Sequence, residues 1–84
     1  MNFSTALDLL KVGSKLARSG WNANGQFVYM VPANSYAAQT DAARETFGDL
    51  VPYEAYFALK TVRNTVSMWV PSTGDLLAED WYEV

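Results

Sequence analysis

Gln26-Phe27-Val28-Tyr29-Met30-Val31 is the stretch that decides the fold. Its β-branched and aromatic residues favour extended backbone. Alternation puts Phe27, Tyr29 and Val31 on one side of a strand, with Val28 and Met30 on the other. Both sides are apolar, so both are expected to be covered. The flanking sequence supplies partners. Lys15 to Arg18 predicts a short strand with Leu16 facing inward, and Ser19-Gly20 then turns the chain. Trp21 to Gly25 reads as a loop rich in residues that tolerate left-handed backbone. Tyr53 to Val62 predicts a long strand, Arg63-Asn64 a two-residue hairpin turn, and Thr65 to Val70 a returning strand that Pro71 stops. Asp75 to Glu79 predicts one helical turn, and Trp81 to Val84 a last short strand.

Upstream, residues 4 to 12 predict a short helix capped by Ser4 or Thr5, with Asp8 in its first turn and Gly13 as its stop. Phe3, Ala6, Leu7 and Leu10 share one face. Leu9 and Val12 lie outside that stripe, which in so short a chain points to a partner subunit. Pro32 to Leu50 is the least regular part and reads as an insertion or lid. Within it Thr40 to Gly48 predicts one or two helical turns, capped by Thr40 and stopped by Gly48. Tyr36 and Phe47 need somewhere to pack, so disorder is not expected. The sum is a single α+β domain over residues 1–84: a short N-terminal helix packed on a small antiparallel sheet, in a homo-oligomer.

Composition limits what such a domain can do. At 84 residues one core is modest, and small chains lean on disulfides, metals or association. Cysteine and histidine are both absent. Disulfides and thiolate metal sites are therefore excluded, along with the commonest general base. Oligomerisation is the remaining support, and the 14% aromatic content suits it. The formal charge is −3, and Lys11, Lys15, Arg18, Arg44, Lys60 and Arg63 are scattered. That argues against a DNA or RNA groove. No apolar stretch approaches membrane-spanning length, and no signal peptide is evident, so the cytoplasm is the expected location.

Four features bear on chemistry. Asp75, Glu79 and Asp80 cluster but lack the spacing of a calcium loop; a solvated turn or a helix cap at Asp75 is the better reading. Asp80 beside Trp81 is expected to have a raised pKa through desolvation, yet nothing pairs it with a nucleophile, and Ser72 and Thr73 lack a histidine to activate them. Neither a catalytic group nor a metal site is expected. Gly13-Ser14-Lys15 is a fragment of a phosphate loop without its upstream glycine, and a helix stop explains it. The tryptophans carry more. Trp21, Trp69 and Trp81 each stand at a loop or strand end beside polar residues. Indoles stack on nucleobases, and Arg18, Arg63 or Lys60 can meet a phosphate. The same indoles also serve as core or subunit contacts. For any one of them that reading is stronger, though at least one is expected to face a ligand.

Three segments together resemble a known family. Met1-Asn2-Phe3-Ser4-Thr5-Ala6-Leu7 is similar to its opening. Arg18-Ser19-Gly20-Trp21-Asn22 resembles its R-x-G-W-N signature. Trp69-Val70-Pro71-Ser72 with Asp75-Leu76-Leu77-Ala78-Glu79-Asp80-Trp81 resembles its W-x-P-S-x-x-D-L-L-A-x-D-W ending. The family is the small phage-encoded Thoeris anti-defence proteins of the second type. Two departures stand out: Ala23-Asn24-Gly25 replaces the family's glycine directly after W-N, and Tyr36 to Tyr53 matches no motif.

The resemblance implies a sponge that does no chemistry and needs no cofactor. Such proteins bind the glyco-cyclic ADP-ribose signal of TIR-domain defence proteins and withhold it from its effector. They assemble as homo-oligomers, typically tetramers, with ligand at subunit junctions, and some members hold cyclic dinucleotides at a separate site. Carried onto this sequence, the adenine stacks on Trp21, with Phe3 or a second subunit's aromatic opposite. Asn22 and Asp75 bond ribose hydroxyls or base edges. Ser72, Thr73 and the Gly74 backbone serve phosphate or ribose, and Arg18 and Arg63 pair with the diphosphate. Trp69 and Trp81 are open between core and ligand contact. The rivals are a nucleotide-signal hydrolase, which predicts turnover, and an aromatic-surface adaptor, which predicts a protein partner and no small ligand.

Overall fold

A computed structural model describes residues 1–22 and 24–84, so the departure at Ala23 lies outside the described residues. The elements in chain order are α1 (Phe3–Lys11), β1 (Leu16–Arg18), β2 (Phe27–Val31), β3 (Asn34–Ala37), α2 (Asp41–Phe47), β4 (Leu50–Tyr53), β5 (Tyr56–Lys60), β6 (Val66–Met68), α3 (Thr73–Leu77) and β7 (Trp81–Glu83). Five strands form one sheet in the order β6-β5-β2-β1-β7, and β3 pairs with β4 in a second. Every pairing is antiparallel. The chain is therefore α+β, with the decisive strand β2 at the centre of the larger sheet.

α1 begins one turn-step earlier than expected. Asn2, not Ser4 or Thr5, is the cap, its Oδ1 accepting the Thr5 N–H at 3.0 Å. Asn is as effective a cap as Ser, and this placement brings Phe3 inside the helix. Asp8 consequently lies beyond the first turn. Gly13, at φ 98°, ends the helix as expected. Ala6 and Leu10 are fully buried against Leu16, Val28 and Trp81, with Phe3 and Leu9 packed around them.

α1 covers only one face of the sheet. α1 lies along β1, β2 and β7, α2 touches β4, and α3 packs beside α1 while its Asp75 bonds Arg18 of β1 and Trp81 of β7. Val28 is wholly buried beneath α1, whereas Phe27, Tyr29 and Val31 on the other side are half-buried. The face away from α1 is thus only partly covered at its aromatic residues, although Ala58 beside Tyr29 is fully buried.

The expected strand from Tyr53 to Val62 is broken. Val31 pairs with Tyr56 in the large sheet, and Asn34 pairs with Tyr53 in the small one. The register is the same on both sides of the break, so β2–β3 and β4–β5 are one long ribbon interrupted at Pro32-Ala33 and Glu54-Ala55. Pro32 has no N–H to give the ladder, which accounts for the interruption. The outer half of the ribbon forms an arm, with α2 at its tip. Thr40 caps α2 and Gly48, at φ 83°, ends it, as expected. Ala43 and Phe47 of α2 line a cleft together with Tyr56 and Met68 of the large sheet. The radius of gyration is 15.1 Å, against about 12 Å for a compact chain of this length.

Two turns also differ from expectation. The β5–β6 connection has three residues, Val62 to Asn64: Asn64 N–H bonds Thr61 O at 3.0 Å and Thr61 N–H bonds Thr65 O at 2.8 Å. Asn64 at φ 65° supplies the left-handed position that such a loop requires. α3 starts at Thr73 because Ser72 and Asp75 form a reciprocal capping box, two residues ahead of the expected turn.

Candidate functional site

The signature residues meet where β1 ends and β7 begins. Antiparallel register sets Arg18 opposite Trp81, which brings Asp80 beside the guanidinium. Arg18 Nε donates to Asp80 Oδ1 at 2.8 Å, and Nη1 donates to Asp75 Oδ1 at 2.9 Å. Asp75 Oδ2 accepts the Ser72 N–H at 3.0 Å while Ser72 Oγ accepts the Asp75 N–H at 3.1 Å. Asp80 Oδ2 takes the Gly20 N–H at 2.8 Å. A Cβ at Gly20 would stand 2.7 Å from that oxygen, so the glycine of the R-x-G-W-N segment is required by contact.

Electrostatics follow this geometry. Hydrogen bonding to Asp80 and then Asp75 raises the Arg18 pKa further. The Arg18 guanidinium holds the Asp80 carboxyl below the usual carboxylate range, with the Gly20 N–H adding to it. This corrects the expectation of a raised value at Asp80, because the partner charge outweighs desolvation. At Asp75 burial works against ionisation, but the Ser72 N–H, Arg18 and the Ser72 hydroxyl together lower the pKa. Arg18, expected to meet a diphosphate, is therefore neutralised twice within the chain. Both Asp75 oxygens, expected to meet a ribose, are already engaged, and so is the Ser72 hydroxyl.

Around this brace lies a set of packed rings. Trp81 is 2% exposed and its Nε1 donates to Asp75 O at 2.9 Å, which places it in the core. It meets Phe3 at 5.5 Å, Trp21 at 5.4 Å and Trp69 at 5.9 Å between centroids. Phe57 closes on Trp69 at 6.0 Å. With Phe3 also at 6.4 Å, Trp69 is held among three rings. Trp21 stands at the margin, edge-on to Trp81 and half-buried, with exposed Asn22 next to it. Thr73 and Gly74 are exposed on α3. Arg63 lies in the exposed β5–β6 turn at the same end of the sheet, since Lys60 pairs with Phe27. β5 is separated from β1 by β2, so the turn is about 10 Å across from Arg18's strand.

Sequence reading missed two further groups. Lys15 and Lys60 stand over the Phe27 ring, at 5.3 and 5.9 Å from its centroid, and Lys60 Nζ also donates to Gly25 O at 2.8 Å. The Phe27–Lys60 pairing that creates this site is visible only once the hairpin register is known. At the base of the arm, Val31, Tyr36, Ala37, Gln39, Tyr53 and Tyr56 line an open cleft of about 610 Å³. Tyr36 and Tyr53 meet edge to face there at 5.6 Å. The Pro32 break and the continuous register, not any motif, assemble these tyrosines.

The arrangement suits recognition. Carboxylates locked to an arginine are poor general acids or bases near neutral pH. An indole margin beside an exposed amide, with a cation across the sheet, fits stacking on a flat ring that carries negative charge.

Comparison with known proteins agrees with the sequence resemblance. The model of the Thoeris anti-defense 2-like domain matches residues 1–84. A curated relative, the Thoeris anti-defense 2 protein of Bacillus phage SP01, is 34% identical over 84 residues, covering 96% of this chain and 91% of its own length.

Proposed function

The chain belongs to the Thoeris anti-defense 2-like family, and from that premise we propose that it is a sponge for a cyclic nucleotide immune signal. Its role is phage anti-defence. It acts in the cytoplasm of the infected bacterial host by binding TIR-derived glyco-cyclic ADP-ribose without cleaving it. The reading also includes cyclic dinucleotides at a second site and a homotetramer that encloses ligand between subunits. Enclosure slows release, which a sequestering protein needs more than fast capture.

One observation carries this reading. The chain's signature residues build a rigid wall and leave Trp21 and Asn22 at its margin. Arg18, Asp75, Asp80, Ser72 and Trp81 satisfy one another, so Trp21 is set on a fixed support. A ring held this way stacks on an adenine with little ordering cost. Arg63, in the turn that follows Lys60, is the cation assigned to the diphosphate. Thr73 and Gly74 offer a hydroxyl and backbone from α3, and Phe3 and Trp69 act by packing behind.

Isothermal titration of glyco-cyclic ADP-ribose tests the assignment. Trp21→Ala is expected to abolish binding while the assembly mass stays unchanged. Loss of assembly with the ligand site would make Trp21 a structural residue. Arg63→Ala is expected to weaken binding by roughly 10- to 150-fold, in line with the ~1.5–3 kcal/mol of a hydrogen bond to a charged group; unchanged affinity removes Arg63 from the site.

A further inference from the structure

The open cleft at the base of the arm plays no part in nucleotide capture. Its volume, about 610 Å³, falls in the range of small-molecule sites. Tyr36, Tyr53 and Tyr56 supply its rings, and Gln39 its side-chain amide. Tyr36 and Tyr53 meet edge to face at 5.6 Å and are still 40% and 48% exposed. Gln39 donates its amide N–H to Ala37 O at 3.2 Å, which leaves its Oε1 to accept from a ligand. Tyr53 and Tyr56 also line a second cleft, of about 460 Å³, so both clefts share these two rings.

Charge selects the ligand. Neither cleft has a lysine or arginine in its lining among the described residues. Residues 32–55 hold Asp41, Glu45, Asp49 and Glu54 against Arg44, a net of −3 that equals the charge of the whole chain. Arg44 is already engaged: Nη1 donates to Asp41 Oδ1 at 3.2 Å and Nη2 to Ala38 O at 3.5 Å. The other ion pairs among the described residues belong to Arg18, so Glu45, Asp49 and Glu54 pair with no cation there. Two of these carboxylates bracket the tyrosines. Glu54 joins Tyr53 and Tyr56 in lining the second cleft. Asp49 stands beside Ala38, whose N–H bonds Asp49 O at 2.9 Å, level with the end of the first cleft formed by Ala37 and Gln39. A phosphate brought here would meet like charge. A cation gains from the ring faces and from the carboxylates together.

The spacing of the charges narrows the class. Among the described residues no three carboxylates gather as a metal site requires. Asp49 and Glu54 are five residues apart along β4, roughly 17 Å of extended backbone. An extended cation can approach both; a compact one cannot.

We propose that this cleft binds a linear polyamine. Its alkyl chain lies over the rings of Tyr36, Tyr53 and Tyr56, an ammonium donates to Gln39 Oε1, and its ends approach Asp49 and Glu54. The site is separate from the Arg18 brace and from Trp21, so the inference does not rest on nucleotide capture. It assigns the cleft to a cation, which places any cyclic dinucleotide elsewhere.

Isothermal titration of spermidine into the full chain at low ionic strength tests the assignment, with saturable binding expected. Tyr36→Leu with Tyr53→Leu keeps apolar bulk but removes two ring faces, and is expected to weaken binding at least about tenfold. Tyr36→Phe with Tyr53→Phe keeps the faces and is expected to stay within roughly twofold of wild type. Asp49→Asn with Glu54→Gln is expected to cost about tenfold, while Asp8→Asn on the exposed side of α1 changes nothing. Tetramethylammonium, a compact cation, is expected to bind at least about tenfold more weakly than spermidine. Absence of saturable binding, or unchanged affinity in the leucine pair or the carboxylate pair, would overturn the proposal. So would a loss in the phenylalanine pair equal to that in the leucine pair, or tetramethylammonium binding as tightly as spermidine. Where circular dichroism shows the leucine pair unfolded, Tyr36→Leu alone replaces it, with weaker binding expected and unchanged affinity contradicting. Trp21→Ala is expected to bind spermidine like the wild type, so failure of this site and failure of nucleotide capture are told apart.

Discussion

The two ends of this molecule solve the problem of a small core in opposite ways. At the brace, Arg18, Asp75, Asp80 and Ser72 consume one another's hydrogen bonds, and Trp81 fills the space behind them. Among the described residues no buried side-chain polar atom is left without a partner. At the arm, four large apolar side chains face outward around one buried valine. The brace is complete within one chain; the arm keeps its large side chains at the surface. Residues quoted for a family signature are thus not automatically the ones that touch a ligand. Here most of them hold the platform, and the stretch without a signature has the least interior.

If that contrast is right, substitutions at the brace should unfold the chain and substitutions in the arm should not. The largest effect is expected from Trp81→Ala, at about 3–5 kcal/mol for an emptied ring site in a core. Chemical denaturation measures it, and a cost under ~1 kcal/mol would mean that the core collapses around the gap. Next comes Arg18→Ala, which leaves two carboxylates facing each other without their cation. It is expected to lower the melting temperature more than any single lysine substitution. Gly20→Ala is expected to do the same to a smaller extent by pushing Asp80 away.

Acid sharpens the comparison. Asp75 and Asp80 have pKa values that the fold lowers below the ordinary carboxylate range. A depressed carboxyl contributes stability that is present above its unfolded pKa and lost as pH falls through the folded one. Stability is therefore expected to hold to about pH 4 and to decline below it. In Arg18→Ala that decline should be flatter, because the guanidinium's share of the depression is lost while the Ser72 and Gly20 N–H groups still lower Asp75 and Asp80. A wild-type melting temperature unchanged down to pH 2 would contradict the brace.

Smaller changes separate the regions further. Ser72→Ala removes a helix cap and is expected to cost about 1 kcal/mol. Phe47→Ser in the arm is expected to cost the isolated chain no more than ~0.5 kcal/mol, since that ring is already exposed. Denaturation of dilute protein, where assembly does not contribute, checks the pair; equal costs would erase the distinction.

Much of the body was legible from residue pattern. The alternation in Gln26 to Val31 located the central strand, Gly13 and Gly48 marked helix ends, and Leu16 was placed inward. What escaped depended on register. The ribbon continues unshifted from Phe27–Lys60 to Ala37–Leu50, and neither Pro32 nor Pro52 reveals that locally. The aromatic residues of the site could be named, but not sorted. That Trp81 is core and Trp21 marginal follows from an edge-to-face packing that spacing does not encode. Arg18 looked like a free cation because its partners lie 57 and 62 residues away in sequence. The half-covered face of β2 is the most useful mismatch. Its sequence asks for burial on both sides, and one chain buries Val28 fully but Phe27, Tyr29 and Val31 only in part.

The central claim is capture without chemistry. The most direct test mixes the protein with glyco-cyclic ADP-ribose, filters it, heats the retained protein and chromatographs what is released. The account predicts a first filtrate depleted of ligand and intact ligand recovered only after heating. Ligand left free in the first filtrate, or a new product peak after incubation, would contradict it.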